Sequence, residues 1–408
     1  MSSRSVPPSL RSSGGRRRRL LTATLVAGLA GALTLGQAGV ATAAPEATGA
    51  VHGWTLSTTR ARVVRSVRVV HSPAATKRPE ALVRYGHWAF PSVTRLADGS
   101  LRVVYREGAN HYSRRDGFIR STTSTDLGRT WSKPVTVIPT APGIDYRDPS
   151  ISTSRDGGTL YLTYFKGLSS LSAAGSFFRS STDGGATWSG EVRIDPNLAS
   201  SAITAPVVQL ADGSLAAVHY SRAAGESRDS VWWSRSTDRG ATWTTTRLIN
   251  GQSAGRDYQE PYLVSQGANL FLTFRWGNRD SIGSMTSSNS GYTWSTPAPD
   301  FPGTGRPSSV WLADGTLVVY VRDPAGDFDI RVSADRGATW GPARLIQTPP
   351  RGGMSTYASF VEVTPGSVFT VMTAEDASAI RSGLSFTTLS DWAALASRPA
   401  AATAIPVW

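Results

Sequence analysis

"STDGGATW" at residues 181–188 has four near-copies: "STDLGRTW" (124–131), "STDRGATW" (236–243), "SSNSGYTW" (287–294) and "SADRGATW" (333–340). Each octapeptide suits a turn. Gly185 accepts the positive φ that other residues resist, Asp183 can take backbone N–H bonds, and Trp188 offers a large apolar plate to a neighbouring sheet. The third copy has Asn289 in the Asp place, which a hydrogen-bonding role tolerates and an acid catalyst does not. The repeat is therefore read as frame rather than chemistry.

The octapeptide is one half of a longer unit. Its partner is a strand, a turn and a second strand, as in "FPSVTRLADGSLRVVYR" (90–106), "DPSISTSRDGGTLYLTYFK" (148–166) and "APVVQLADGSLAAVHY" (205–220). Three more follow: "EPYLVSQGANLFLTFRW" (260–276), "RPSSVWLADGTLVVYVRD" (306–323) and "YASFVEVTPGSVFTVMTAED" (357–376). The copies begin 46 to 58 residues apart, in the range of propeller blades. Apolar and polar residues alternate on both sides of each turn, the signature of a β-hairpin. A third strand such as "FIRSTTS" follows, and the octapeptide leads into a fourth. The expected fold is all-β, a six-bladed β-propeller of four-stranded antiparallel blades. The sixth copy has only a worn octapeptide, "SFTTLSDW" (385–392), and "ARVVRSVRVV" (61–70) is placed to supply its outer strand and close the ring.

The chain has 408 residues, 17% of them charged, and no Cys, so disulfides, thiolate metal sites and a Cys nucleophile are excluded. "GGRRRR" precedes an acid-free apolar stretch from Leu20 to about Val40, and Ala41 and Ala43 bracket Thr42. Residues 1–43 thus read as a cleaved signal peptide, with Arg17 and Arg18 loosely resembling a twin-arginine signal. Residues 44–80 follow as a linker containing the ring-closing strand, and residues 81–408 as the propeller. The leader holds six arginines and no acid, so its removal lowers the net charge from +13 to +7. The remaining cations are dispersed, which suits an anionic ligand rather than nucleic acid. A secreted monomer without membrane span is expected.

The repeat resembles that of the sialidase superfamily, the Asp box S-x-D-x-G-x-T-W on a six-bladed propeller, over roughly residues 81–392. That resemblance places the site at the centre of the ring, on the face opposite the boxes, where inner strands start and second strands end. Glu260 and Arg275, fifteen residues apart, match the family's Glu and one arginine of its substrate-carboxylate clamp. "TYASFVEV" resembles the stretch around its nucleophilic tyrosine and assigns that role to Tyr357, with Glu260 as the base a phenol requires. Asp116 in "YREGANHYSRRDGF" is the acid/base candidate, with His111 as competitor. Arg322 and Arg306 are candidates for the last clamp arginine. Ala89 in "AFPSV" stands where the family has an arginine, and Arg147 or Arg106 is the candidate substitute. His87 and His219 show no metal-ligand spacing with an acid, so no metal and no cofactor are expected. The resemblance implies a retaining exo-glycosidase acting on terminal sialic acid or a related acidic sugar of a glycan. Alternatives are a glycosidase or lyase on a different sugar and a non-catalytic carbohydrate-binding propeller.

Overall fold

The computed structural model describes residues 65–70, 87–111, 116–168, 173–198, 200–277, 281–347, 354–375 and 382–389. The chain divides into two units, Met1–Gly49 and Ala50–Trp408. All described residues belong to the second, and the expected signal peptide lies outside them.

The described strands form six four-stranded antiparallel sheets. Five are contiguous in sequence and start with the inner strands His87–Arg95, Ile144–Thr153, Val208–Gln209, Tyr258–Gln266 and Ser308–Trp311. The sixth runs from Met354–Thr364 through Ser367–Glu375 to Ser382–Leu389, and its outer strand is Arg65–Val70, paired antiparallel with Ser382–Leu389. The chain is an all-β propeller of such sheets. A strand borrowed from far earlier in the chain covers the edge of Ser382–Leu389 and completes this sheet.

Turn chemistry sets the hairpins. In the three "ADG" turns the Asp carboxylate accepts a backbone N–H two residues on, Asp98 from Ser100 at 2.9 Å, Asp212 from Ser214 at 3.0 Å and Asp314 from Thr316 at 2.8 Å. Residues lining the interior alternate out of each strand, and buried Leu101, Leu160, Leu215, Leu270 and Leu317 recur at matching places.

The octapeptides tie each sheet to the one before it. Asp238 accepts the Thr242 backbone N–H at 2.9 Å and the Ser236 and Thr242 hydroxyls at 2.7 and 2.6 Å. Asn289 makes the equivalent backbone bond to Thr293 at 2.9 Å. The turn glycines lie hard against the preceding sheet. A Cβ on Gly240 would meet the Phe178 ring at 2.2 Å, one on Gly291 the Trp233 ring at 2.8 Å and one on Gly337 the Phe271 ring at 2.9 Å. In the first sheet the same position, Gly128, faces Phe369 of the sixth at 2.3 Å. Its Trp131 packs on that ring with centroids 5.8 Å apart. The stretch proposed as a worn sixth copy does not fit this scheme. The other octapeptides begin on the last residue of a third strand, whereas Ser385 is paired mid-strand with Arg68 and Met372.

Strands 1 and 3 of a sheet run the same way, so octapeptides at the ends of third strands lie on the face opposite the starts of inner strands. Within the ring, a cavity of about 350 Å³ is lined from all six sheets, by Val93, Ile151, Val208, Tyr262, Ser309 and Phe360 among others.

The Asp238 carboxyl is pulled down to about 2 by bonds from the side chain and backbone of Thr242 and the Ser236 hydroxyl. A carboxyl depressed below its unfolded value near 4 stabilises the fold above that pH and loses the contribution as pH falls toward 2. Asp238→Asn, which keeps the acceptor as Asn289 does, is expected to unfold with a shallower acid dependence than the native chain. Asp238→Ala should lower Tm by a few degrees at neutral pH, read by thermal scans between pH 2 and 7.

Candidate active site

Four non-glycine residues at the starts of inner strands have left-handed backbones: Phe90 (φ 56°), Asp148 (φ 48°), Glu260 (φ 49°) and Tyr357 (φ 49°). The ladder slips at the same places, between Ala89 and Ser92, Arg147 and Ser150, Gln259 and Tyr262, and Thr356 and Ala358. An extra residue in one strand re-aims a side chain. Positive φ in a bulky residue costs about 1–3 kcal/mol, and such strain concentrates at functional positions. Its recurrence in four sheets gathers four side chains at one hub. The ends of second strands reach the same face, carrying Tyr220, Arg275, Arg322 and Glu375.

Glu260 is the centre of this cluster. Tyr357 donates its hydroxyl to Glu260 Oε1 at 2.8 Å, and Arg275 Nη1 donates to Oε2 at 2.7 Å. Burial pushes the Glu260 carboxyl up, but the charge of Arg275 and the bonds from Arg275 and Tyr357 outweigh it and hold the pKa below the ordinary value. Burial and the Glu260 charge push the Tyr357 phenol far above its usual range. At rest the pair is therefore a neutral phenol bonded to a carboxylate. The Phe90 ring meets the Tyr357 ring edge-on at 4.8 Å, and fixes its plane.

Arg147 lies over the Phe90 ring at 4.7 Å and donates to the His111 carbonyl at 2.8 Å. Asp148 is 3% exposed, and its Oδ1 has no hydrogen-bond partner. Burial raises its pKa to about 6 against the opposing charges of Arg147 and Arg306, with Glu260 adding to the rise. Tyr220, half-buried, is raised by burial and by the nearby charges of Glu260 and Asp148. The hub thus combines an ionised carboxylate, a carboxyl poised near neutrality, two phenols and several guanidinium groups. A site of this composition can hold an anion and move a proton on either side of it.

Sequence reasoning brought Glu260, Arg275 and Tyr357 together correctly. Arg322 is also close enough for its charge to lower the Glu260 pKa, and its Nη2 donates to the Thr304 carbonyl at 2.7 Å. Two of its arginines do other work. Arg306 is 2% exposed and donates to the backbone carbonyls of Thr204 and, at 3.0 Å, Ala358. Its guanidinium lies over the Tyr357 ring at 4.8 Å, and its backbone bonds tie three sheets together. Arg106 is fully buried in a two-pronged pair with Asp145, at 2.6 and 3.1 Å, and cannot replace the arginine missing at Ala89. Asp116 lies in the loop ahead of Phe118–Ser124, partly exposed, next to Gly117, which abuts the Arg106–Asp145 pair. Asp148 and Tyr220 were not named as site residues. The signal for Asp148 was present, since it occupies the repeat position of Glu260 and Tyr357; Tyr220 has no such marker.

One further group crosses sheets. His111 Nδ1 is 2.9 Å and His87 Nε2 3.3 Å from Glu375 Oε1. The lack of ligand spacing along the chain does not carry over to space, because a strand start, a loop and a strand end converge. Burial raises the Glu375 pKa, but its close contacts with His111 and His87 outweigh this and leave it at about 2.

This inward-facing hub on four-stranded antiparallel sheets defines a sialidase-like propeller. Residues 141–368 match the family model described as BNR repeat-like domain, and the chain belongs to that family. A segment of 97 residues, 23% of the chain, is 37% identical to a Paenibacillus xyloglucanase, of whose length the match spans 8%. Among solved structures, the chain is similar to a protein of unknown function from Dyadobacter fermentans, with TM-score 0.67 and 17% identity over 81% of this chain and 98% of that one. It is also similar to the leech intramolecular trans-sialidase, with TM-score 0.64 and 14% identity over 83% and 71%. These likenesses concern the fold.

Arg275 and Glu260 form a buried pair, and removing one partner strands the other's charge. Arg275→Met is expected to cost about 3 kcal/mol in urea unfolding at pH 7. Arg275→Met with Glu260→Gln should recover most of that loss. A double variant no more stable than the single would contradict the pairing.

Proposed function

We propose that the chain is a secreted, retaining exo-glycosidase of sialidase type, its six sheets forming the blades of one ring, acting on a terminal acidic sugar of a glycan. The observation that carries this reading is the 2.8 Å bond from the Tyr357 hydroxyl to a Glu260 carboxylate also held by Arg275. A neutral phenol suits attack on an anionic sugar, since a carboxylate nucleophile would be repelled by the substrate's own charge.

The resting pKa order opposes proton transfer from Tyr357 to Glu260. An anionic substrate corrects this. Its carboxylate competes for Arg275, and a Glu260 relieved of that partner becomes a stronger base. Tyr357 Oη then bonds to the anomeric carbon as its proton passes to Glu260. The bond to the leaving oxygen breaks, and that oxygen takes a proton from Asp148. In the second step water gives a proton to Asp148 and attacks the anomeric carbon, and Tyr357 leaves with the proton from Glu260. Asp148 takes the acid role that sequence reasoning gave to Asp116, because it shares the hub and its raised pKa keeps it protonated in mildly acidic solution.

The absence of an arginine at Ala89, with Arg106 locked onto Asp145, favours an acidic sugar other than sialic acid as the second reading. A panel of fluorogenic sialosides and uronides separates the two.

On the best substrate of that panel, Tyr357→Phe is expected to lose about 10³-fold or more in kcat, with the fold retained by circular dichroism. Full activity in this variant would refute the nucleophile assignment. Activity of the native chain should fall as pH rises through about 6, where Asp148 loses its proton. Asp148→Asn should remove that limb and slow cleavage of natural glycosides by about 10²-fold or more, while Asp116→Asn keeps it. The reverse outcome would return the acid role to Asp116.

A further inference from the structure

His87, His111 and Glu375 are the one group of its kind among the described residues, with ligand atoms all within 4.8 Å of one another. His87 starts the inner strand of the first sheet, His111 follows its second strand, and Glu375 ends the second strand of the sixth. His87 and Glu375 are fully buried, and the His111 side chain is 12% exposed.

Hydrogen bonds account for only part of this arrangement. His111 Nδ1 faces both Glu375 oxygens, at 2.9 and 3.0 Å. His87 is different, because neither ring nitrogen has a hydrogen-bond partner although the residue is completely buried. Its Nε2 approaches Glu375 Oε1 at 3.3 Å without hydrogen-bond geometry. A buried imidazole nitrogen left unpaired is costly, and one aimed at a carboxylate and a second imidazole is placed as a ligand is. Two of the three separations agree. Donors bonded at 2.0–2.1 Å to a tetrahedral ion lie about 3.3 Å from one another, close to the 2.9 and 3.3 Å seen here. Nearby cations are already answered, Arg106 by both oxygens of Asp145 and Arg147 by Asp145 and Asp148 at 3.5 and 3.8 Å.

We infer that His87, His111 and Glu375 bind a divalent transition ion of the zinc type. Two imidazoles and one carboxylate form a donor set that suits zinc and leaves a fourth position for water. The ion would tie the loop carrying His111 to the sixth sheet, across the join between the first and last sheets. The His111 ring meets Phe90 edge-on at 5.2 Å, and Phe90 in turn meets Tyr357, so the ion also steadies one wall of the hub. The inference does not depend on the proposed glycosidase activity.

The test uses the tag-free full chain, stripped with chelator and titrated with Co²⁺ and then Zn²⁺. One Co²⁺ per chain should bind with the visible absorption of a four-coordinate ion, and Zn²⁺ should displace it. Zn²⁺ should also raise Tm by a few degrees, as an ion bound only by the folded state does. His87→Gln and Glu375→Gln should each weaken Co²⁺ binding by about 100-fold. His111→Gln, which retains a hydrogen-bonding side chain beside Glu375, should weaken it similarly. Absence of both the absorption and the Tm rise in the native chain would overturn the inference, leaving a metal-free His–Glu–His cluster. Unchanged Co²⁺ binding in folded His87→Gln would also overturn it, since the ion would then lie elsewhere.

Discussion

The site depends on a backbone constraint: one extra residue at the start of the inner strand, held at positive φ, in four of the sheets. Without that slip the side chains of Asp148, Glu260 and Tyr357 would continue the in–out alternation of their strands. With it, they turn toward the axis. Each bulge is locally unfavourable, and its recurrence at matching places means the surrounding sheets hold it. Two of the strained residues are acids, one is a phenol and one is the aromatic wall behind the phenol. The frame and the hub therefore divide the work. The octapeptides supply sheet-to-sheet packing on one face, and the bulges gather polar side chains at the opposite face.

At the hub the arrangement is governed by how one carboxylate is shared. Glu260 is bonded at once by the phenol and by Arg275. The guanidinium keeps the carboxylate ionised in a buried place, where it would otherwise take up a proton. The same contact makes it a poor base. An anion that draws Arg275 away turns a resting structure into a reactive one, so binding and activation are coupled through one ion pair. Asp148 is complementary, since burial holds it near neutrality while Glu260 stays charged. Two carboxyls with separated pKa values are the means by which one site both gives and accepts a proton.

Much of this was legible in the chain. The alternation around the "ADG" turns marked the hairpins, and the spacing of the octapeptides marked the sheets. Glu260, Arg275 and Tyr357 could be grouped because their stretches resemble those of the sialidase superfamily at matching places in the repeat. What escaped has a common cause, in that pairings between sheets leave no trace in local spacing. His111 and Glu375 are 264 positions apart, yet they touch because the first and last sheets meet. Arg306 and Arg106 look like ligand-binding arginines by position. Only the fold shows Arg306 Nη2 on the Ala358 carbonyl and Arg106 on Asp145. The worn octapeptide at 385–392 fails for a related reason. A Ser and a Trp at the right interval do not make a turn when the strand has not yet ended.

The central claim is that Tyr357, poised by Glu260, forms the covalent bond to the sugar. The direct measurement is peptide mass spectrometry of the chain after incubation with a fluorinated glycosyl fluoride of the preferred acidic sugar, which forms the glycosyl-enzyme and slows its hydrolysis. The account predicts one sugar adduct, on the peptide containing Tyr357 and localised to that residue. An adduct on Asp148 or Glu260, or a chain that turns over substrate while trapping nothing at Tyr357, would contradict it.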